Sequence, residues 1–101
     1  MSTDVNAKLE AEFQNRFLNR AGIQMLNITD ALLYIRRCEE FGIPILGIDG
    51  FIIAPNKTQP MMEHSIDLSS PGFGGGHRSA INFLTQRSRN DFFYEVITGD
   101  V

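Results

Sequence analysis

The sequence predicts an α+β domain: a three-stranded antiparallel sheet with its helices packed on one face, in the order α-α-β-β-α-β. Three observations predict it. A capped amphipathic stretch ends at Gly42 and Pro44, an isoleucine-rich run follows that stop at once, and an aromatic, β-branched run lies near the end of the sequence.

Over 8–20, Leu9, Phe13 and Phe17 recur every four residues, while Glu10, Glu12, Arg16 and Arg20 take the other faces. This spacing predicts a first amphipathic helix, preceded by a flexible N-terminus over 1–7. Asn27 or Thr29 can cap a second helix over 29–41, with Asp30 in its first turn. Ala31, Leu32, Ile35, Cys38 and Phe41 form its apolar stripe, which places Cys38 inside. The isoleucine-rich run 43–54 reads as the first strand because helix-stop signals precede it. Pro55-Asn56-Lys57-Thr58-Gln59-Pro60 has turn chemistry, and 61–68 reads as the return strand of a hairpin.

The glycine-rich stretch 69–76 is expected to be a loop, since consecutive glycines lose too much backbone entropy to persist in a regular element. Ala80, Ile81, Phe83 and Leu84 mark a short helix over 79–84, and 92–97 reads as the third strand. A crossover helix between the second and third strands lets the third pair beside the first.

A chain of 101 residues with 43% hydrophobic and 21% charged side chains reads as one folded domain over 1–101. Its size leaves little material for a deep enclosed site, which favours binding over catalysis. The net charge of −3, without a basic cluster, argues against sequence-general nucleic-acid binding. One cysteine cannot form an intramolecular disulfide, and Met1-Ser2-Thr3-Asp4 lacks the basic and apolar regions of a secretory signal, so a cytoplasmic location is expected. Pro44, Gly47, Asp49 and Gly50 interrupt the longest apolar run, so no membrane span is expected.

Side-chain alternation gives the expected free face of the sheet. In the first strand Leu46, Ile48 and Ile52 form one set, opposite Ile45, Asp49, Phe51 and Ile53; the set with the carboxylate is expected outward. In the second strand Met62, His64, Ile66 and Leu68 are expected inward, leaving Glu63, Ser65 and Asp67 outward. With Phe92, Tyr94 and Val96 inward in the third, Phe93, Glu95 and Ile97 join the acidic face. Asp49, Phe51, Glu63, Asp67 and Glu95 are therefore the candidate partner-binding residues, with Phe51 as anchor. Outward carboxylates also serve simply to keep an exposed sheet soluble.

The other candidates for chemistry are weaker in pattern. Gly72-Phe73-Gly74-Gly75-Gly76 precedes a helix, but His77 stands where a dinucleotide fingerprint needs glycine, and a P-loop ending is absent. His64 and His77, even with Asp67, lack a metal-ligand spacing, so no metal or cofactor is expected. Cys38 has no activating neighbour in sequence, and nothing encloses Asp49 and Glu63 for acid–base work. Arg78, Arg87 and Arg89, diluted by Asp91 and Glu95, read as a solvated helix end.

The string Gly42-Ile43-Pro44-Ile45-Leu46-Gly47-Ile48-Asp49, directly after a capped helix, resembles a small family of bacterial immunity proteins found beside polymorphic toxins. Members of that family run from a helix into Gly-Ile-x-Ile-Leu-Gly-Gly-Asp, then a turn, a return strand, a short helix and a terminal aromatic strand. The resemblance covers about residues 27–98; Ile48 replaces the second glycine, Gly50-Phe51 stands where valine and tyrosine are usual, and His64 lies near an expected tryptophan. It implies a protein without catalysis of its own that binds a cognate toxin in the cytoplasm and blocks it. Two other readings remain beside it: a small regulatory domain binding an anion at the glycine-rich loop, and a self-associating structural subunit such as a homodimer.

Overall fold

The computed structural model describes residues 5–87 and 92–100. Its α+β architecture places helices against an entirely antiparallel sheet, as the mixed pattern of periodicities predicts. The sheet has five described strands rather than three. In chain order the elements are α1 (Val5–Glu12), β1 (Leu18–Arg20), β2 (Ile23–Asn27), α2 (Ile28–Phe41), β3 (Ile45–Ala54), β4 (Lys57–Asp67), a 3₁₀ turn at Pro71–Phe73, α3 (His77–Arg87) and β5 (Phe92–Thr98). The spatial order β1-β2-β5-β3-β4 sets β5 beside β3, the adjacency expected from the crossover helix.

The first helix is where expectation and structure part most. It ends at Glu12 instead of reaching Arg20, and turns at 13–16 lead into a two-stranded ribbon. Phe13 and Phe17 both satisfy their apolar spacing by meeting the same ring: their centroids lie 5.0 and 5.8 Å from that of Tyr34, edge to face. The ribbon turns at Ala21 and Gly22, both with positive φ (52° and 80°), as a two-residue type I′ hairpin requires. At the start of α1, Asn6 donates from Nδ2 to the Gly99 carbonyl at 3.1 Å, so residues 5–7 belong to the folded domain. Residues 1–4 of the expected flexible terminus, with Arg89 and Asp91 of the expected basic helix end, lie outside the described residues.

Helix α2 forms as its signals indicate. The Asn27 side chain caps it by accepting from the Asp30 amide at 2.8 Å, and Gly42 ends it at φ 73° while the Ile43 amide reaches back to the Cys38 carbonyl at 2.8 Å. That geometry drives Ile43 into the core as β3 begins. Leu9, Phe13, Leu26, Ile35, Cys38, Ile48, Leu84 and Tyr94 belong to a single buried cluster between the helices and the sheet. Arg37 ties α2 to α1 through Glu12, at 2.7 Å, and also contacts Glu40.

The hairpin between β3 and β4 is tighter than its sequence suggests: only Pro55 and Asn56 separate the strands, and Lys57 through Pro60 already pair with β3. Pro60 is tolerated because β4 is an edge of the sheet, where a missing N–H costs no ladder bond. The glycine-rich loop connects, as expected, and also packs. Gly75 accepts from the Ile45 amide at 2.8 Å, and a Cβ at Gly76 would stand 2.4 Å from the Ile45 carbonyl oxygen.

Candidate functional site

Alternation along β3 and β5 defines the face of the sheet turned away from the helices. Ile48 faces Val96 and Gly50 faces Tyr94 toward the helices, so Asp49 opposite Glu95 and Phe51 opposite Phe93 point the other way. Asp49 and Glu95 are thus direct cross-strand neighbours of like charge. Burial, reinforced by the Asp49 charge, raises the Glu95 carboxyl above its ordinary value. Among the described residues neither carboxylate has a cation paired to it.

A register shift between Ile45 and Gly47 resets the alternation at the start of β3. Ile45 therefore turns into the core and Leu46 comes to the free side beside Ile97, which alternation along β5 already places there; Leu46 and Ile97 are each 37% exposed. The expected outward set included Ile45 and the inward set included Leu46; the bulge reverses both. Asp67, opposite Gly47, also lies here and accepts from the Ser69 amide (2.9 Å) and hydroxyl (2.6 Å), bonds that lower its pKa.

The second strand departs further. Between Ile66, opposite Ile48, and Met61, opposite Gly50, β4 carries four residues where β3 carries only Asp49. Ser65 pins this wide bulge: its hydroxyl accepts from the Gly50 amide at 3.2 Å and donates to the Met61 carbonyl at 3.0 Å. The bulge turns Met62 out to 89% exposure, where strict alternation expected it inward. His64 stacks on Phe92 with ring centroids 4.0 Å apart. Glu63 is exposed and does not line the cleft that holds Asp49 and Asp67; its backbone carbonyl accepts from Arg87 Nε of α3 at 3.2 Å.

Phe51 is on the expected side of the sheet, but it is only 6% exposed and so does not stand free as an anchor. The β1–β2 ribbon accounts for this. In a flat sheet β1 would stand three strand spacings from β3, roughly 14 Å. Yet Arg20 Nη2 donates to the Ala54 carbonyl at 3.0 Å, and Nη1 lies 3.4 Å from Thr58 Oγ1. The ribbon, joined to β5 through Leu26 and Asn27, therefore bends over the second face, where Met25 and Phe51 are buried apart from the main cluster. It leaves a cleft of about 420 Å³ beside β5, lined by Gly22, Gln24, Glu95 and Ile97 among others.

The structure thus brings together Asp49, Glu95 and Asp67, covers Phe51 and leaves Glu63 out of the cleft that holds Asp49 and Asp67. Leu46, Met62 and Ile97 are exposed apolar side chains on this face, of which alternation alone placed only Ile97 there. His77 Nε2 donates to the Ile43 carbonyl at 2.7 Å, far from the stacked His64 in role, and no three His, Cys, Asp or Glu among the described residues gather as metal ligands. Among the described residues no helix is long and apolar enough to cross a membrane. Compared with protein-family models and with curated proteins, the chain matches none.

Proposed function

We propose that this protein is a non-enzymatic binding protein of the immunity type, which occupies a cognate bacterial toxin with the acidic face of its sheet and blocks it sterically. The observation that carries the reading is the Asp49–Glu95 pair. Two carboxylates stand opposite each other at a like-charge cost, with no cation of the described chain beside them. A partner that supplies the cation relieves that cost on binding, and the negative field steers its approach.

The positions shared with the immunity-protein pattern support the same reading by their division of labour. Gly42 caps α2, Ile43 and Ile45 fill the core, and Gly47 admits the close approach of β4, its absent Cβ lying 2.9 Å from the Ile66 carbonyl oxygen. Leu46 and Asp49 are left for the free face.

The test is co-expression with the domain encoded at the end of the adjacent upstream reading frame. Protection of growth and a co-purifying complex are expected. The pair of changes Asp49→Lys and Asp67→Lys should slow stopped-flow association at low salt while the circular dichroism spectrum stays native. A native double variant that associates at the unaltered rate overturns the assignment of this face.

A further inference from the structure

The β4 bulge gives this face a second recognition element, distinct from its charge. Four residues of β4 are looped out opposite Asp49, and Ser65 holds the loop at both ends through Gly50 and Met61. What the arrangement presents to solvent is a methionine, 89% exposed. Bulges re-aim side chains, and an unbranched thioether adapts to partner surfaces of irregular shape.

Met62 does not stand alone. With Leu46 and Ile97 it borders a cleft of about 350 Å³ that also holds Asp49 and Gly47. Gly47 lines the cleft and lets β4 approach closely, since a Cβ there would lie 2.9 Å from the Ile66 carbonyl oxygen. The cleft is mainly apolar in its rim and anionic at one side, where Asp49 lacks a cation among the described residues.

We infer that this cleft receives an extended segment of the partner protein in which an apolar side chain, seated among Leu46, Met62 and Ile97, adjoins a lysine or arginine that meets Asp49. The apolar contact supplies the anchor that buried Phe51 does not, and the charge pair fixes the register of the segment. Charge complementarity selects a basic segment over an acidic one. The inference rests on the proposed function only in taking the partner to be the toxin.

The experiment uses the ¹⁵N-labelled full chain titrated with two probe peptides, acetyl-Leu-Arg-Leu-amide and acetyl-Leu-Glu-Leu-amide. The first is expected to shift the amides of Gly47, Asp49, Met62 and Ile97 saturably at millimolar concentration. Asp49→Asn should weaken it about tenfold, the magnitude of one lost charge-assisted contact, and the acidic peptide should leave those amides unmoved. Equal response to both peptides, or shifts elsewhere, overturns the inference. Met62→Glu then separates the two ideas. A toxin domain captured undiminished by that variant defeats the cleft and leaves the immunity reading standing; a cleft that takes the basic peptide while the domain is not captured defeats the immunity reading alone. A concentration-dependent dimer abolished by Met62→Glu would assign the cleft to a second copy of the chain and overturn the basic-segment proposal.

Discussion

Gly50 and His64 approach so closely across β3 and β4 that a Cβ on Gly50 would stand 2.5 Å from both the Cβ and the carbonyl oxygen of His64. Both atoms are fixed by the His64 backbone, so turning the imidazole relieves neither overlap and β4 itself would have to move. The Gly50 amide is meanwhile held by Ser65, 3.2 Å away. The absence of a side chain at Gly50 is therefore what lets the bulge close over β3 and aim Met62 outward.

Gly50→Ala is expected to destabilise the fold by about 1–3 kcal/mol, the usual range for overpacking a filled site. Urea unfolding measures it, and amide shifts of Met62 and Ser65 report whether the bulge moves. An unchanged midpoint would mean that β4 yields freely and that the bulge is not built on Gly50.

Glu95 makes a prediction with a definite sign. Its folded pKa is raised above the ordinary value of 4.5, so the folded state prefers the protonated carboxyl. No penalty is present well below that value; it develops as pH rises through the unfolded and then the folded pKa. Glu95→Gln should therefore raise the melting temperature at pH 7, by the equivalent of a few tenths to about 1 kcal/mol for a cross-strand pair, and leave it nearly unchanged at pH 3. A variant less stable than the parent at pH 7 would show that the carboxylate has a stabilising partner.

These two sites also show what could be read from the sequence. Helix α2 was legible because its signals are local: Asn27, Asp30, the stripe through Cys38 and the Gly42 stop all act within the helix or one turn beyond it. The outward placement of Asp49, Asp67 and Glu95 followed from period-two alternation, which β5 obeys throughout. Alternation failed at Leu46 and Met62 because bulges depend on cross-strand fit, as Gly50 against His64 illustrates. The ribbon carries no such local signal, because Ala21 occupies a positive-φ turn position where asparagine or aspartate would mark a hairpin, and because Leu9, Phe13 and Phe17 mimic a continuous helix. The covering of Phe51 follows from the ribbon, and so was hidden with it.

The Arg20 clasp tests the ribbon directly. Arg20→Leu removes the donor at 3.0 Å from the Ala54 carbonyl while retaining apolar bulk. Loss of such a charge-assisted bond is expected to cost about 1.5–3 kcal/mol. Hydrogen exchange should quicken at the β1–β2 amides and at Phe51, with little change in α2. Uniform quickening across the molecule would indicate general destabilisation, and unaltered exchange would show that the ribbon needs no clasp.

Cys38 offers the last test, because its chemistry reports on the integrity of the core. It is 0% exposed, and desolvation pushes its thiol up from 9.0 to about 12. At pH 8 the folded protein then holds on the order of one thiolate in 10⁴, and the packed helices also exclude reagent. Labelling by a disulfide reagent should be at least a hundredfold slower than for an unfolded cysteine and should follow the global urea transition. The same shift sets a sign for stability: the unfolded thiol ionises first, so the contribution is complete below about pH 9 and is lost as pH rises toward 12. Cys38→Ala should flatten that alkaline decline. Rapid labelling of the native protein at pH 8 would instead mean that α2 opens from the sheet without global unfolding.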